Sequence, residues 1–186
     1  MIQRFQFQTR ILDVDTFRRS AEEIQESSLA AIVCKSYNPI SAKTYLTDVG
    51  IDLRPTSNYR ITNQPQLVST GVKVAAFCPC AFFALTARSS LPKKHLAISN
   101  SIGIIDPEYR GEIRVWLHSI VNHEEINITP DDKVAQLLLI PYIPIGLNAK
   151  VTCTYDVIFV QSEEIFNEWE NIFPSNRGSS GFGSTG

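Results

Sequence analysis

The residues best equipped for chemistry crowd between Ala87 and Ile113. Arg88-Ser89-Ser90 sets a guanidinium, two hydroxyls and adjacent amides side by side, a group suited to gripping phosphate oxygens. Ten residues beyond Ser90 begins Asn100-Ser101-Ile102-Gly103-Ile104-Ile105-Asp106-Pro107-Glu108-Tyr109-Arg110-Gly111-Glu112. The apolar flanks of Gly103 suggest a hairpin whose backbone can approach a flat ligand closely. Asp106 falls where strand gives way to turn, a common position for a working carboxylate. A plainer reading has Asp106-Pro107 start a turn while Tyr109 packs, and spacing alone does not separate the two. The chain closes on Arg177-Gly178-Ser179-Ser180-Gly181-Phe182-Gly183-Ser184-Thr185-Gly186, with four glycines in ten residues. Composition alone describes a flexible tail. The same glycines also expose N–H groups to phosphate, while Arg177 adds a cationic fork and Phe182 a ring that can lie on a base.

Two other patterns fail on chemistry. Gly178-x-x-x-x-Gly183-Ser184-Thr185 has serine where a P-loop needs lysine, and no strand leads into it. His123-Glu124-Glu125 matches the His-x-Glu of zinc nucleobase deaminases. The Pro-Cys-x-x-Cys needed downstream is missing, and Cys78-Pro79-Cys80 lies upstream. With His95, His118 and His123 as the histidines of the chain, no zinc site stands out.

Strands must position these groups. β-Branched or alternating runs at 66–77, 81–86, 113–121, 134–140 and 151–160 are separated by Pro, Gly, Asn and Asp clusters. That rhythm predicts an all-β sandwich or barrel with little helix, and not a βαβ sheet. Asp15 is placed to cap a short helix reaching toward Glu26. A turn or two of helix over Glu163–Trp169 would put Ile165, Phe166 and Trp169 on one side.

A length of 186 residues with 44% hydrophobic content fits one domain with a real core. Seventeen basic residues against 19 acidic ones exclude a broad basic face for nucleic acid, though not a site for one nucleotide. No apolar run approaches the ~20 residues of a membrane span. Met1–Gln8 lacks the apolar stretch of a secretory signal. The expectation is a soluble protein of the cytoplasm, or of the nucleus in a eukaryotic or viral setting. Its four cysteines (Cys34, Cys78, Cys80, Cys153) are then expected to be reduced.

Five segments together resemble the motifs of the homotrimeric dUTPase family, in its order and at plausible intervals. They are Thr47–Leu53, Arg88–Leu91, Gly103–Glu112, Asp132–Leu137 and Arg177–Gly186. The resemblance runs from about residue 31 to the end. It implies a distorted jelly-roll β-barrel over residues 31–170, a C-terminal arm over 171–186, and an N-terminal extension of unknown role over 1–30. It further implies a homotrimer whose active sites draw on all three chains, with the arm sent across by the third. The implied reaction is dUTP plus water to dUMP and pyrophosphate, with Mg2+.

Asp106 resembles the carboxylate that activates water. Tyr109 resembles the ring beneath the deoxyribose that leaves no room for a 2′-hydroxyl. Gly103, Ile104 and Ile105 correspond to the backbone facing uracil, with Asn100 assisting through a water. Arg88, Ser89, Ser90 and Gln136 correspond to the phosphate cradle, and Asp52 to the Mg2+ carboxylate, acting through water. Arg177, Gly183 and Ser184 would close on the γ-phosphate while Phe182 stacks on the base. Two positions depart from the family pattern. Ser90 and Asp131 each stand where glycine is usual.

A dCTP deaminase, or a bifunctional deaminase and dUTPase, shares the fold and the Arg-Ser-Ser and Ile-Asp-Pro segments. Its glutamate is expected ten residues beyond the Asp, where this chain has Trp116. A non-catalytic nucleotide-binding paralogue is the other alternative, and the joint presence of Asp106, Tyr109 and a full arm argues against it.

Overall fold

Leu29-Ala30-Ala31-Ile32-Val33-Cys34 is buried at every position, because its two faces serve two cores. Ala30, Ile32 and Cys34 face one, and Leu29, Ala31 and Val33 the other. This strand, β2, sits inside a six-stranded sheet in the computed structural model, which describes residues 7–24, 29–35, 37, 49–77, 81–122, 125–142 and 155–181. The sheet also contains β1 (Phe7–Ile11), β5 (Gln66–Ala76), β7 (Leu96–Ile98), β9 (Ile113–Ser119) and β12 (Tyr155–Gln161), in the order β1-β12-β2-β5-β9-β7. A four-stranded sheet has the order β3-β11-β6-β8, built from β3 (Ile51–Leu53), β6 (Ala81–Thr86), β8 (Gly103–Ile105) and β11 (Ala135–Pro141). A small ribbon pairs β4 (Tyr59–Ile61) with β10 (Ile126–Ile128).

The fold is mostly β, as expected, although the hydrogen bonding of the described strands does not close into a barrel. The five expected strands correspond to β5, β6, β9, β11 and β12, with residues 151–154 outside the described residues. Alternation made β9 legible. Ile113, Val115, Leu117 and Ser119 are buried, while Arg114, Trp116 and His118 turn the other way. The expected hairpin around Gly103 is not formed by its flanks. β7 pairs with β9, and β8 with β6, so the chain changes sheets between them. The crossing is a tight turn at Ser99–Ile102 in which Ser101 takes a φ of 62°.

The helix α1 (Val14–Ile24) starts two residues earlier than expected, and its cap is Asp13 rather than Asp15. Asp13 Oδ1 accepts from the Thr16 amide at 2.8 Å, the reach of an N-cap to the third helical residue. The Thr16 hydroxyl, donating to Asp13 Oδ2 at 2.6 Å, and the Thr16 amide together hold the Asp13 carboxyl below its ordinary pKa. The helix α2 (Glu163–Ile172) is capped by Ser162, which accepts from the Ile165 amide at 3.2 Å. Its buried stripe is Ile165, Phe166 and Trp169, as the spacing predicts.

Both helices cover the outer face of the six-stranded sheet. Phe17 from α1 and Trp169 from α2 meet Phe173, at ring-centroid distances of 5.6 and 4.5 Å. Trp169 is fully buried, and among the described residues its indole N–H has no acceptor, so the contacts described for it are apolar packing. Trp169→Ala is expected to lower stability by about 3–5 kcal/mol, read as a shift of the urea midpoint. An unchanged midpoint would mean that the helical layer adds nothing to global stability. Among the described residues no helix is long and apolar enough to cross a membrane.

Candidate active site

β8 ends at Ile105, and the next four residues turn, with the Tyr109 amide donating to the Asp106 carbonyl at 3.0 Å. The turn leaves the Asp106 carboxylate at the rim and sends the Tyr109 ring inward, where it is 7% exposed. The Tyr109 hydroxyl donates to the Glu112 carbonyl at 3.0 Å, which fixes the ring edge. Burial pushes the Tyr109 phenol above its ordinary pKa, so it stays a neutral donor. Gly111 is required here. A Cβ at that position would lie 2.4 Å from the Tyr109 oxygen.

The first half of the arm lies on this turn. The Ser175 hydroxyl donates to the Glu108 carbonyl and accepts from the Gly178 amide, both at 2.7 Å. The Arg110 amide donates to the Gly178 carbonyl at 2.9 Å. Gly178 has a φ of +57°, a conformation glycine adopts without penalty. The chain direction this sets brings Arg177 into an ion pair with Asp106 and lays Gly181 against the Tyr109 ring. A cleft of about 150 Å³ results, walled by Asn100, Ile104, Ile105, Asp106, Tyr109, Arg177 and Gly181. Glu112, Ile113 and Arg114 complete its lining. Glu112 is tied down by accepting the Gly71 amide at 2.7 Å.

Six of the residues singled out in the sequence thus meet around one cleft. Gly103 stands beside it, where a Cβ would press to 3.3 Å from Leu85. Phe182, Gly183 and Ser184 lie outside the described residues.

A second cluster forms across the four-stranded sheet. Register places Gln136 of β11 opposite Asp52 of β3 on one side and Thr86 of β6 on the other. Asp52 is held between two cations, Arg88 at 2.9 Å and Lys133 at 2.7 Å. One carboxylate against two cations leaves the cluster net positive, which favours an anion. The Gln136 amide donates to the Ala87 carbonyl at 3.1 Å and steadies the segment that carries Arg88. Gly50 lies close beside it, and a Cβ there would come within 2.6 Å of the Gln136 side-chain oxygen and displace the amide. Tyr37 braces β3 by accepting from the Arg54 amide at 2.9 Å, and its burial pushes the phenol pKa upward.

Ser90 has a φ of −85° and a ψ of −12°, ordinary for any residue, so the loss of glycine there costs no strain. Asp131 likewise has no positive φ. Asp132 holds the neighbouring turn by accepting from the Thr129 amide at 2.8 Å and pairing with Lys94. Partial burial alone would raise the Asp132 carboxyl, but the bonds from Lys94 and Thr129 outweigh it and the pKa falls. Lys133, Lys94, Arg110 and Arg114 were not singled out in the sequence. The only signal for Lys133 was its place beside Asp132.

Asp52, Arg88 and Gln136 do not line the Asp106 cleft of the same chain. Exposed apolar residues stand near each cluster, with Val49 84% and Ile104 59% exposed.

The profile of the dUTPase family matches residues 36–154, well over half the chain. The chain belongs to the dUTPase family. It is 31% identical to the deoxyuridine 5′-triphosphate nucleotidohydrolase of Hahella chejuensis, a match over 80% of this chain and 89% of that one. The enzyme of the same name from Corynebacterium jeikeium is 34% identical, over 80% and 86%. In fold the chain is similar to the dUTPase from phage phi11 of S. aureus, a structure described for its coordination of a structural Mg(II) ion. That likeness has a TM-score of 0.55 at 20% identity and covers 65% of this chain and 95% of the phage protein. The family match starts beyond β2 and ends before β12. Both helices, which build the second core together, therefore lie outside it.

Proposed function

We propose that this dUTPase-family chain hydrolyses dUTP to dUMP and pyrophosphate, supplying dUMP and keeping uracil out of DNA. The observation that carries the reading is the Asp106 cleft, where a rim carboxylate, a buried tyrosine wall and an arm arginine converge. Asp106 takes a proton from water as its oxygen attacks the α-phosphorus. The bond from that phosphorus to the α,β-bridging oxygen breaks, and pyrophosphate leaves. Arg177 pairs with Asp106 here, and a bound triphosphate would draw the guanidinium onto its γ-phosphate and free the carboxylate for water.

The backbone of Gly103–Ile105 and Asn100 read the uracil edge, while Phe182 stacks on the base and Gly183 and Ser184 complete the γ-phosphate grip. Arg88, Ser89, Ser90 and Gln136 cradle the remaining phosphates. This cradle does not line the cleft of its own chain, which agrees with its serving a neighbouring chain in the homotrimer that the family resemblance implies, about three times 20.8 kDa in solution.

The residues present suit a magnesium ion carried by the triphosphate. Among the described residues no cluster of three or more His, Cys, Asp or Glu exists to cage a metal. A lone Asp52 is the kind of donor that Mg2+, keeping several waters, engages through its water shell. The ion would neutralise charge on the phosphates, and Arg88 and Lys133, now on Asp52, would turn to the substrate.

Pyrophosphate release from dUTP, dCTP, dTTP and UTP, with and without Mg2+, tests this reading. Release from dUTP alone, stimulated by magnesium, is expected. Ammonia from dCTP would instead make the protein a deaminase despite Trp116.

Tyr109 sets the discrimination against ribose by shape. Tyr109→Ala is expected to admit UTP at a rate within about tenfold of dUTP, the scale a steric pocket change carries. It should also cost roughly 3–5 kcal/mol of stability from the lost ring. Continued exclusion of UTP would place the selectivity elsewhere.

A further inference from the structure

We propose that Glu112 is a positioning residue for sugar selectivity: its carboxylate, anchored on a bulge in β5, fixes the height of the Tyr109 wall. The proposal rests on the reading of the Asp106 cleft as the dUTP site, and it places control of that site's selectivity one step behind the ring. Its starting point is a break in strand pairing. Ser69 of β5 lies opposite Arg114 of β9, and Val72 opposite Ile113, so Thr70 and Gly71 stand between them with no partner on β9. A bulge of this kind interrupts the ladder and bends the strand that carries it. Gly71 takes a φ of +65°, a conformation that a residue with a Cβ adopts only under strain.

Side chains take over where the ladder stops. Thr70 is fully buried, and its hydroxyl donates to the Ile113 carbonyl at 2.5 Å. The Gly71 amide donates to Glu112 Oε1 at 2.7 Å, and the Gly71 carbonyl accepts from the Lys35 amide at 3.1 Å. Each polar group of the bulge therefore has a partner, as burial demands. Both side-chain bonds land on the same short stretch, Glu112 and Ile113, where the chain leaves the turn that carries Asp106 and Tyr109. Glu112 is thus gripped twice, through its own carboxylate and through the carbonyl of the next residue.

What this grip holds still is the Glu112 carbonyl, which accepts the Tyr109 hydroxyl at 3.0 Å. Gly111 closes the other side, since a Cβ there would stand 2.4 Å from the hydroxyl oxygen. The ring cannot settle lower against Gly111, and its hydroxyl bond keeps it from rising into the cleft. Rejecting a 2′-hydroxyl by shape requires such a wall, because a pocket with slack accepts one added hydroxyl at small cost. The operative property of Glu112 is reach: an oxygen at the end of its side chain, long enough to meet the Gly71 amide.

Two substitutions separate reach from charge. Glu112→Asp keeps the charge and withdraws the oxygen by one methylene, whereas Glu112→Gln keeps the reach and loses the charge. The ratio of kcat/KM for dUTP to that for UTP should fall about tenfold or more in Glu112→Asp, and stay within about threefold of the native ratio in Glu112→Gln. A merely structural residue would lower activity on both nucleotides together, and an unmoved ratio in Glu112→Asp would overturn the proposal. So would a Glu112→Gln chain that loses the ratio as fully as Glu112→Asp. Tyr109→Phe, which keeps the ring and removes its hydroxyl, should lower the ratio by itself, and adding Glu112→Asp to it should change little further. A full second loss contradicts the proposal; should Glu112→Asp not fold, a native ratio in Tyr109→Phe does so instead. Failure of the native chain to turn over dUTP would sink the functional reading alone. Ring placement is then read without activity, from the NMR spectrum of the tyrosine-labelled full chain. The Tyr109 signals, identified by their absence in Tyr109→Phe, should shift in Glu112→Asp and hold in Glu112→Gln. Signals that stay in place in Glu112→Asp would overturn the proposal.

Discussion

Asp106→Asn should lower the turnover of dUTP by about 10²–10⁴-fold, or ~3–5 kcal/mol of barrier, the usual contribution of a positioned general base. Asparagine keeps the shape and loses the basicity. Removing the carboxylate also removes the ion pair to Arg177, so the loss must be separable from a loss of folding. The magnitudes separate them. The two side chains are 47% and 38% exposed, and an exposed pair contributes at most about 1 kcal/mol. The variant should therefore unfold within a few degrees of the parent while kcat falls by orders of magnitude. Turnover equal to the parent's would remove Asp106 from the chemistry.

Deleting residues 177–186 should reduce activity about 10²-fold or more, since it withdraws Arg177 and the glycine-rich phosphate grip from a reaction catalysed by positioning and charge. Stability should change little. None of the described residues from Pro174 to Gly181 belongs to either buried core, and Phe173, which does, is retained. Circular dichroism and the thermal midpoint check the fold, and steady-state kinetics the loss. A truncated chain that unfolds would make the arm a structural element. A truncated chain with full activity would remove it from the mechanism.

The sequence showed these parts unevenly, for physical reasons. Long strands with one wet face, such as β9, announce themselves by alternation. β2 does not, because burial on both faces erases the period. β3, β4, β8 and β10 have three residues each, too few to carry one. Asp13 and Asp15 differ as caps only by which reaches the third helical amide, a matter of geometry rather than composition. Asp106, Tyr109 and Asn100 were legible because the turn after β8 is local. The meeting of Asp52 with Gln136 comes from strand register, and Lys133 joins them through the same pairing. Arg110 read as one more charged residue in a motif, and its burial against the carbonyl of Phe173, at the C-terminal end of α2, emerged only in three dimensions.

The most direct test of the central claim is hydrolysis of dUTP in water enriched in oxygen-18, with the products weighed by mass spectrometry. Attack at the α-phosphorus predicts one heavy oxygen in dUMP and none in pyrophosphate. Label in the pyrophosphate, or products other than dUMP and pyrophosphate, would contradict it.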